Sequence, residues 1–376
     1  MSIRNSDRIN IGVVAERAAG ERRVALIPTD IGKLTSKARF IIESGAGREA
    51  GFDDNAYVEA GARIGDSREV LEDCDVVVKV RPPGRGETPG AGRTLISLGG
   101  HDPDLGEFLR KRSVIHLALE RVPRTTRAQA MDVLSSQASI AGYASVLEGA
   151  RALDILLPML TTAAGTIKPA RMIALGAGVA GLQAIATARR LGAVVHGFDV
   201  RAAAREQVES LGAKFVSVDD TDIGAGEGTG GYAREQSHDQ QARLRRALSA
   251  HLATMHLVIT TAQIPGRPAP LLIDREALGT MQPGAVIVDL AAESGGNCEV
   301  TQPNETVTVN GVRIMGPTNL PSLIARDASR FFSGNIRSLL AYLLERSSRL
   351  NLEASDPISG ALLAGQNATS TAAAAA

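Results

Sequence analysis

Gly176, Gly178 and Gly181, with Asp199 following 23 positions after the first, are the residues whose types and spacing point most directly to chemistry. They lie in RMIALGAGVAGLQAIATARRLGAVVHGFDVR, residues 171–201. A short apolar run, Met172 to Leu175, leads into the glycines, and a helical pattern continues to about Leu191. A second apolar run, Ala193 to Phe198, ends at the carboxylate. Strand, glycine turn, helix, strand and acidic residue in this order form a dinucleotide-binding fingerprint. The first glycine permits the tight turn, the second clears a path for a pyrophosphate, and the third lets helix and strand pack closely. The helix N-terminus adds unpaired N–H groups and a partial positive charge. Asp199 can accept both hydroxyls of an adenosine ribose and repels a 2′-phosphate, which favours NAD over NADP. Arg201 is the opposing signal, because a nearby arginine accommodates that phosphate. It reads here as a solvated charge or a pyrophosphate neighbour.

Two further stretches carry polar groups. Arg124, Arg127, Gln129, Asp132 and Ser135 fall in RTTRAQAMDVLSSQASIAGY, with no nucleophile or histidine among them. The set suits hydrogen bonding to an amide, a ribose or a phosphate, and it equally suits a solvated polar linker. Residues 219–231, DDTDIGAGEGTGG, hold five glycines and are followed by Tyr232. This segment is expected to be a mobile loop; it could serve as a lid with a tyrosine tip or be a surface insertion.

The elements that must position these residues alternate strand and helix. Strands are expected at 9–15, 38–43, 75–80, 94–98 and 113–119, with a helix from near Pro28 and helical or turn segments such as 104–112. A polar link over 120–138 leads to a helix near Ile140–Leu157, ended by Pro158. Beyond the fingerprint, strands are expected at 214–218, 256–262 and 285–290, the last ending at Asp289. A helix near Ala328–Arg346 should pack back on the first domain. The pattern implies an α/β fold of two Rossmann-like domains with parallel sheets, the second carrying the fingerprint. The expected boundaries are 1–136 with 328–366 for the first domain and 137–327 for the second, with a disordered tail over 367–376. The first domain lacks a glycine fingerprint and is assigned no nucleotide.

Composition narrows the function classes. A chain of 376 residues exceeds one ordinary core, and 44% hydrophobic content with 3% aromatics and no tryptophan rests burial on aliphatic residues. Basic and acidic residues balance at 41 each, which leaves no electrostatic case for nucleic acid. No stretch approaches the roughly 20 apolar residues of a membrane span, so no direct membrane insertion is expected. No signal peptide is evident, and the expected location is cytoplasmic. Cys74 and Cys298 have no metal-like spacing and read as reduced structural thiols, with no metal site expected.

Seven segments in order resemble the nucleotide-binding domain I of proton-translocating nicotinamide nucleotide transhydrogenase. They are RTTRAQAMDVLSSQASIAGY, GAGVAGLQAIATARRLGA, REQVESLGAKF, GGYARE, ITTAQIPGRPAP, PGAVIVDLAAESGGNCE and GPTNLPS. The resemblance runs to about residue 345. It implies the soluble NAD(H)-binding subunit of a Si/Re-specific enzyme that transfers hydride directly between NADH and NADP+, coupled to proton translocation. NADP(H) would be held by a partner subunit, and further partners would span the membrane. The chain would form a homodimer, peripheral on the cytoplasmic face of the inner membrane. Arg124, Gln129, Asp132 and Ser135 would orient the nicotinamide end, Gln129 reaching toward the second nucleotide. The implied cofactor contacts are Gly176, Gly178, Val179, Ala180, Gly181, Asp199, Val200, Arg201, Asp219, Tyr232, Gln263 and Gly266. The Glu293–Asn297 turn would help to line the nicotinamide pocket, and GGYARE would be a mobile loop closing over nucleotide.

Alanine dehydrogenase is a relative of this family and supplies the alternative reading. Arg23 and Lys79 resemble its pyruvate-holding residues, and Glu293 resembles its acidic catalytic residue. Where its catalytic histidine would stand this chain has Ser97, with His101 four positions later. A dinucleotide-binding regulatory module without turnover is a third reading. The RAQAMD segment argues against it, because a sensor has no need to leave nicotinamide open to a second nucleotide.

Overall fold

Short runs of β-branched and aliphatic residues build two largely parallel sheets, each buried on both faces, as parallel sheets require. The computed structural model describes residues 8–218, 238–264, 266–345 and 349–363. The chain divides into two compact units, Met1–Gln137 with Ser322–Ala376, and Ala138–Pro321.

The first unit contains β1 (Ile9–Val13), β2 (Ala38–Glu43), β3 (Arg63–Gly65), β4 (Val76–Val78), β5 (Thr94–Ser97) and β6 (Ile115–Ala118). Their order is β3-β2-β1-β4-β5-β6, with every neighbouring pair parallel. The winding reverses between β1 and β4, the switch point at which open α/β sheets bind ligands. Side chains alternate between layers: Val76 and Val78 join the cluster that includes Phe332 and Leu340, whereas Val77 joins Leu95 and Leu109. The helix Ala325–Leu343 belongs to this unit because Phe332, Ile336, Leu339 and Leu343 form one fully buried stripe. Three serines fasten the segment before and along it. The hydroxyls of Ser322, Ser329 and Ser333 accept the backbone N–H groups of Arg22, Val24 and Ile27 at 2.6, 3.0 and 3.0 Å. The chain therefore re-enters this unit at Ser322, six residues before the expected boundary.

The second unit begins within the helix Val133–Ala152, and a hairpin of β7 (Leu160–Thr162) and β8 (Gly165–Ile167) follows. Its main sheet comprises β9 (Arg171–Leu175), β10 (Val194–Phe198), β11 (Lys214–Phe215), β12 (Leu257–Thr260), β13 (Val286–Asp289), β14 (Thr306–Val309) and β15 (Val312–Met315). The order is β11-β10-β9-β12-β13-β15-β14, with only the β14–β15 pair antiparallel among the described residues. Here the switch point lies between β9 and β12. Ile173 and Val258 bury against one layer and Met172 and Leu257 against the other.

Two local expectations need correction. The long helix spans Val133–Ala152 and so begins inside the expected polar link. Asp132 starts it as an N-cap: Oδ1 accepts the Ser135 N–H at 3.0 Å and Oδ2 accepts the Ser135 hydroxyl at 2.6 Å. The β7–β8 and β14–β15 hairpins are additions to the expected strands: β7 and β8 have only three residues each, whereas Thr306–Val309 and Val312–Met315 alternate around Asn310 and Gly311, a hairpin signal that the expected strands leave out. Among the described residues no helix is long and apolar enough to cross a membrane. The glycine-rich segment with Asp219 and Tyr232, and the tail over 367–376, lie outside the described residues.

Candidate functional site

The glycine turn joins β9 to the helix Val179–Arg190, directly at the second unit's switch point. Each glycine does a different job. Gly176 has φ +99°, and a β-carbon there would stand 2.6 Å from Thr261 Oγ1. That hydroxyl, just past β12, donates to Gly176 O at 3.0 Å and ties the two strands across the switch point. A β-carbon on Gly181 would sit 1.8 Å from Gly176 O, so only glycine lets the helix lie this close to its own turn. At Gly178 a β-carbon would meet nothing within 4 Å. Nothing among the described residues requires glycine there, whereas a ligand lying across the turn would. Gly178 is also the N-cap, and no side chain caps the helix. The first turn therefore presents N–H groups without an internal side-chain partner, and it carries no acidic residue. Val179 is exposed and Ala180 half-buried on that turn. The donor set and the open space fit a pyrophosphate.

Asp199, one residue past β10, faces this turn. Its Oδ2 accepts the Ala177 N–H at 2.8 Å. Of the two readings of Arg201, solvated charge or pyrophosphate neighbour, the first does not hold: its Nε and Nη2 each donate to the Asp199 carboxylate at 2.9 Å. Val200 between them is partly buried against the core.

The opposite wall is built around Asp289, fully buried at the end of β13. It accepts from Thr260 Oγ1, Thr301 Oγ1 and the backbone N–H groups of Ala291, Asn297 and Cys298, at 2.6–3.1 Å. Five donors satisfy a charge that burial would otherwise make very costly. Asn297, also fully buried, grips Ala262: its Nδ2 donates to Ala262 O at 2.8 Å and its Oδ1 accepts Ala262 N–H at 3.1 Å. Gln263 Nε2 donates to Leu290 O at 2.8 Å. Gly266, exposed with φ +70°, lies farther along the same loop, and Glu293 is exposed on the 3₁₀ turn Ala292–Ser294. A recess lined by Ala141, Ala180, Thr261, Gln263, Leu290 and Pro317 lies beside the glycine turn. Asp289 and Asn297 thus hold the wall in place from inside. The strand-end position of Asp289 was visible in sequence, but its partners come from four separate segments and carried no local signal.

Arg124, Gln129, Asp132 and Ser135 belong to the first unit, and the fingerprint residues to the second. Arg124 and Gln129 are exposed. Gln129 opens the 3₁₀ turn Gln129–Met131, whose Met131 and neighbouring Ala128 are buried in the core. Asn335 clamps this turn. Its Nδ2 donates to Ala130 O at 2.9 Å and its Oδ1 accepts the Ser136 hydroxyl at 2.7 Å. The brace continues through Gln137, whose Nε2 lies 3.3 Å from Ser136 Oγ and whose Oε1 accepts Arg23 Nη1 at 2.9 Å. Asn335, some two hundred positions away in sequence, had no detectable signal. Asp132 and Ser135 cap the following helix, a role separate from any contact with ligand.

The first unit's switch point is filled by the chain's own charges. Buried Lys79 donates to Glu87 Oε2 at 2.8 Å and lies 3.7 Å from Glu16 Oε2. Burial holds the Glu16 carboxyl above the usual range, against the pull of Lys79 and of the Val80 and Arg81 N–H groups. Arg23 forms a two-pronged pair with Glu21, at 2.8 and 2.6 Å. The residues resembling a pyruvate site are therefore occupied by internal carboxylates. Ser97 is buried, donates to Leu98 O at 2.8 Å and stands 3.0 Å from His116 Nε2. Either atom can donate in that contact, according to which ring nitrogen of His116 carries the proton. Burial lowers the His116 pKa and keeps the ring neutral. His101 is exposed. Cys74 and Cys298 are free and buried, and among the described residues no group of three or more His, Cys, Asp or Glu could hold a metal.

Two doubly wound units, one with a dinucleotide cradle and one sealed by ion pairs, define a Rossmann-type oxidoreductase architecture. The chain matches the families described as Alanine dehydrogenase/PNT, N-terminal domain, over residues 12–141, and Alanine dehydrogenase/PNT, C-terminal domain, over residues 145–371. It is 44% identical over 352 residues to an NAD(P) transhydrogenase subunit alpha chain of Rhodospirillum rubrum, covering 91% of this chain and 92% of that one. A crystal structure of transhydrogenase from Sinorhizobium meliloti superposes with TM-score 0.84 at 40% identity, covering 94% of this chain and 97% of that one. An L-alanine dehydrogenase structure is more distant, with TM-score 0.75 at 26% identity, covering 94% of this chain and 99% of that one. The chain belongs to the alanine dehydrogenase/PNT family, and its nearer relatives are transhydrogenase alpha subunits.

Proposed function

We propose that this chain is the NAD(H)-binding component of a proton-translocating NAD(P) transhydrogenase. The observation that carries the reading is the open, uncapped glycine turn, where Gly178 leaves space that none of the described residues uses. When bound, NAD(H) supplies or receives a hydride at C4 of its nicotinamide, with NADP(H) on a separate subunit as the other substrate. The helix N-terminus at Val179 would hold the pyrophosphate, and Asp199 would accept the adenosine ribose. Gln263, Gly266 and the Glu293–Asn297 turn would bound the nicotinamide pocket, with Asp219 and Tyr232 contributing from the glycine-rich segment. Arg124, Gln129, Asp132 and Ser135 would orient the reacting end, Gln129 toward the partner's nucleotide. No general acid or base is needed at a direct hydride step, so ring placement sets the rate. An exposed Gln129 on a turn clamped by Asn335 is what such placement requires.

The remaining partners follow from the same reading. The β7–β8 hairpin leaves Leu160 and Ile167 about half exposed beside Ile155, Leu156 and Met159. An apolar patch of this kind supports a homodimer, with a second copy covering it. Membrane-spanning subunits would hold the chain peripherally on the cytoplasmic face. The pairing of Arg23 with Glu21 and of Lys79 with Glu87 weighs against an alanine dehydrogenase. The test is to mix the purified chain with an NADPH-loaded transhydrogenase partner subunit and follow reduction of an NAD+ analogue. Rapid reduction supports the proposal. Steady turnover of pyruvate, ammonia and NADH by the chain alone would replace it with the dehydrogenase reading.

A further inference from the structure

Asp199 and Arg201 form a closed pair at the place where an adenosine ribose would lie. Asp199 Oδ1 accepts from the Arg201 backbone N–H and Nε, both at 2.9 Å, and Oδ2 accepts from Ala177 N–H at 2.8 Å and Arg201 Nη2 at 2.9 Å. A carboxylate offers about four lone-pair sites, and here every one is taken. Arg201 Nη2 also lies 3.4 Å from Ala177 O, so the guanidinium spans from the carboxylate to the glycine turn. The Asp199 side chain is almost fully buried and that of Arg201 about one-fifth exposed, so the pair is a built feature of the crevice. A ribose diol can engage Asp199 only by taking over sites that the guanidinium now fills. A guanidinium matches a phosphate as well as a carboxylate, in the same two-pronged geometry.

We propose that Arg201 is the specificity-determining residue of this site, held by Asp199 away from any 2′-phosphorylated dinucleotide. The inference rests on the nucleotide reading above. Asp199 acts twice, as acceptor for the ribose and as the internal anion that occupies an arginine suited to a 2′-phosphate. Removing the carboxylate releases that arginine, so a single substitution turns the site toward NADP(H). Removing the arginine instead leaves Asp199 open to the ribose and strengthens the exclusion of a 2′-phosphate.

The test is fluorescence titration of NADH and NADPH against the wild-type protein, Asp199→Asn, Asp199→Ser, Arg201→Ala and Asp199→Asn/Arg201→Ala, with thermal melting to establish that each is folded. Asp199→Asn or Asp199→Ser should bind NADPH on the order of tenfold to a hundredfold more tightly than wild type, the span of a charge-assisted contact. The gain should vanish in the double variant. Arg201→Ala should raise the ratio of NADH to NADPH affinity above that of wild type, a readout that stands even if neither Asp199 variant folds. An NADPH gain of equal size with and without Arg201, or an unchanged or lower ratio of NADH to NADPH affinity in Arg201→Ala, would overturn the proposal while leaving the cradle assignment intact. A wild-type protein that binds neither nucleotide would sink the nucleotide reading itself.

Discussion

Adding one methyl group at each fingerprint glycine should give three different results, and the contrast isolates the cradle from the fold. At Gly181 the new β-carbon would lie 1.8 Å from a backbone oxygen that cannot move without opening the turn. Gly181→Ala should therefore lose about 3 kcal/mol or more of stability, the upper range for overpacking. Gly176→Ala combines a φ of +99° with a 2.6 Å approach to Thr261 Oγ1, and about 2–3 kcal/mol is expected. Gly178 is different. Its φ of −78° and ψ of −167° suit any residue, and no atom of the described residues lies within 4 Å of the added carbon. Alanine caps a helix less well than glycine but lowers the entropy of the unfolded chain, so these small terms nearly cancel to within about 1 kcal/mol. Gly178→Ala should fold like wild type yet bind NADH at least about tenfold more weakly, a loss of about 1.4 kcal/mol, because the methyl group takes the pyrophosphate's space. Urea denaturation and NADH titration on the three variants provide the measurement. Wild-type NADH affinity in a folded Gly178→Ala protein would refute the placement of the pyrophosphate.

Other expectations follow from the buried groups and the clamped turn. Asn335→Ala removes the donor to Ala130 O and the acceptor for Ser136, at about 1 kcal/mol each, and should slow hydride transfer more than it weakens NADH binding; Gln129→Asn should slow transfer with no loss of stability, and unchanged rates in both would make this turn a linker. Glu16 has its folded pKa raised by burial, so its contribution to stability is full below the unfolded carboxylate value and lost as pH rises through the folded one. Glu16→Gln should accordingly gain stability over wild type as pH increases from about 4 to 8, and a difference that stays flat across urea titrations would count against this. Burial pushes the Cys74 thiol up to about 12 and Cys298 up to about 11, so iodoacetamide should modify the native protein slowly and the unfolded protein fast; rapid native labelling would contradict the burial of both.

Local features are legible in the sequence and long-range ones are invisible. The β9–turn–helix–β10 unit can be read because its glycines, apolar runs and Asp199 lie within one continuous stretch. The parallel strands β1, β2, β5, β12 and β13 show as apolar runs for the same reason. The helix start at Val133 is hidden because Asp132 and Ser135 read first as polar linker residues, although an aspartate three positions before a serine can equally be a cap. Of the two readings of Arg201, solvated charge and pyrophosphate neighbour, the first gives way to its pairing with Asp199, which depends on side-chain geometry that spacing alone does not define. Asn335 and Thr260 are out of reach, since contacts joining distant segments leave no periodic trace, and the other four donors to Asp289, within twelve residues of it, are hidden because three are backbone N–H groups of an irregular turn. The sealed switch point of the first unit is legible only as the lack of a glycine fingerprint. That Glu16, Glu21 and Glu87 do the sealing emerges only from the packing.

The central question is whether hydride passes straight from the nucleotide on this chain to a nucleotide held by a partner. The deciding measurement loads the chain with NADH deuterated at C4, mixes it with a transhydrogenase subunit carrying NADP+, and analyses the NADPH formed in a single turnover in ordinary water. Direct transfer between clamped nicotinamides predicts deuterium at C4 of the NADPH, with none lost to solvent. NADPH carrying solvent hydrogen at C4, or no NADPH despite saturating NADH on the chain, would contradict it.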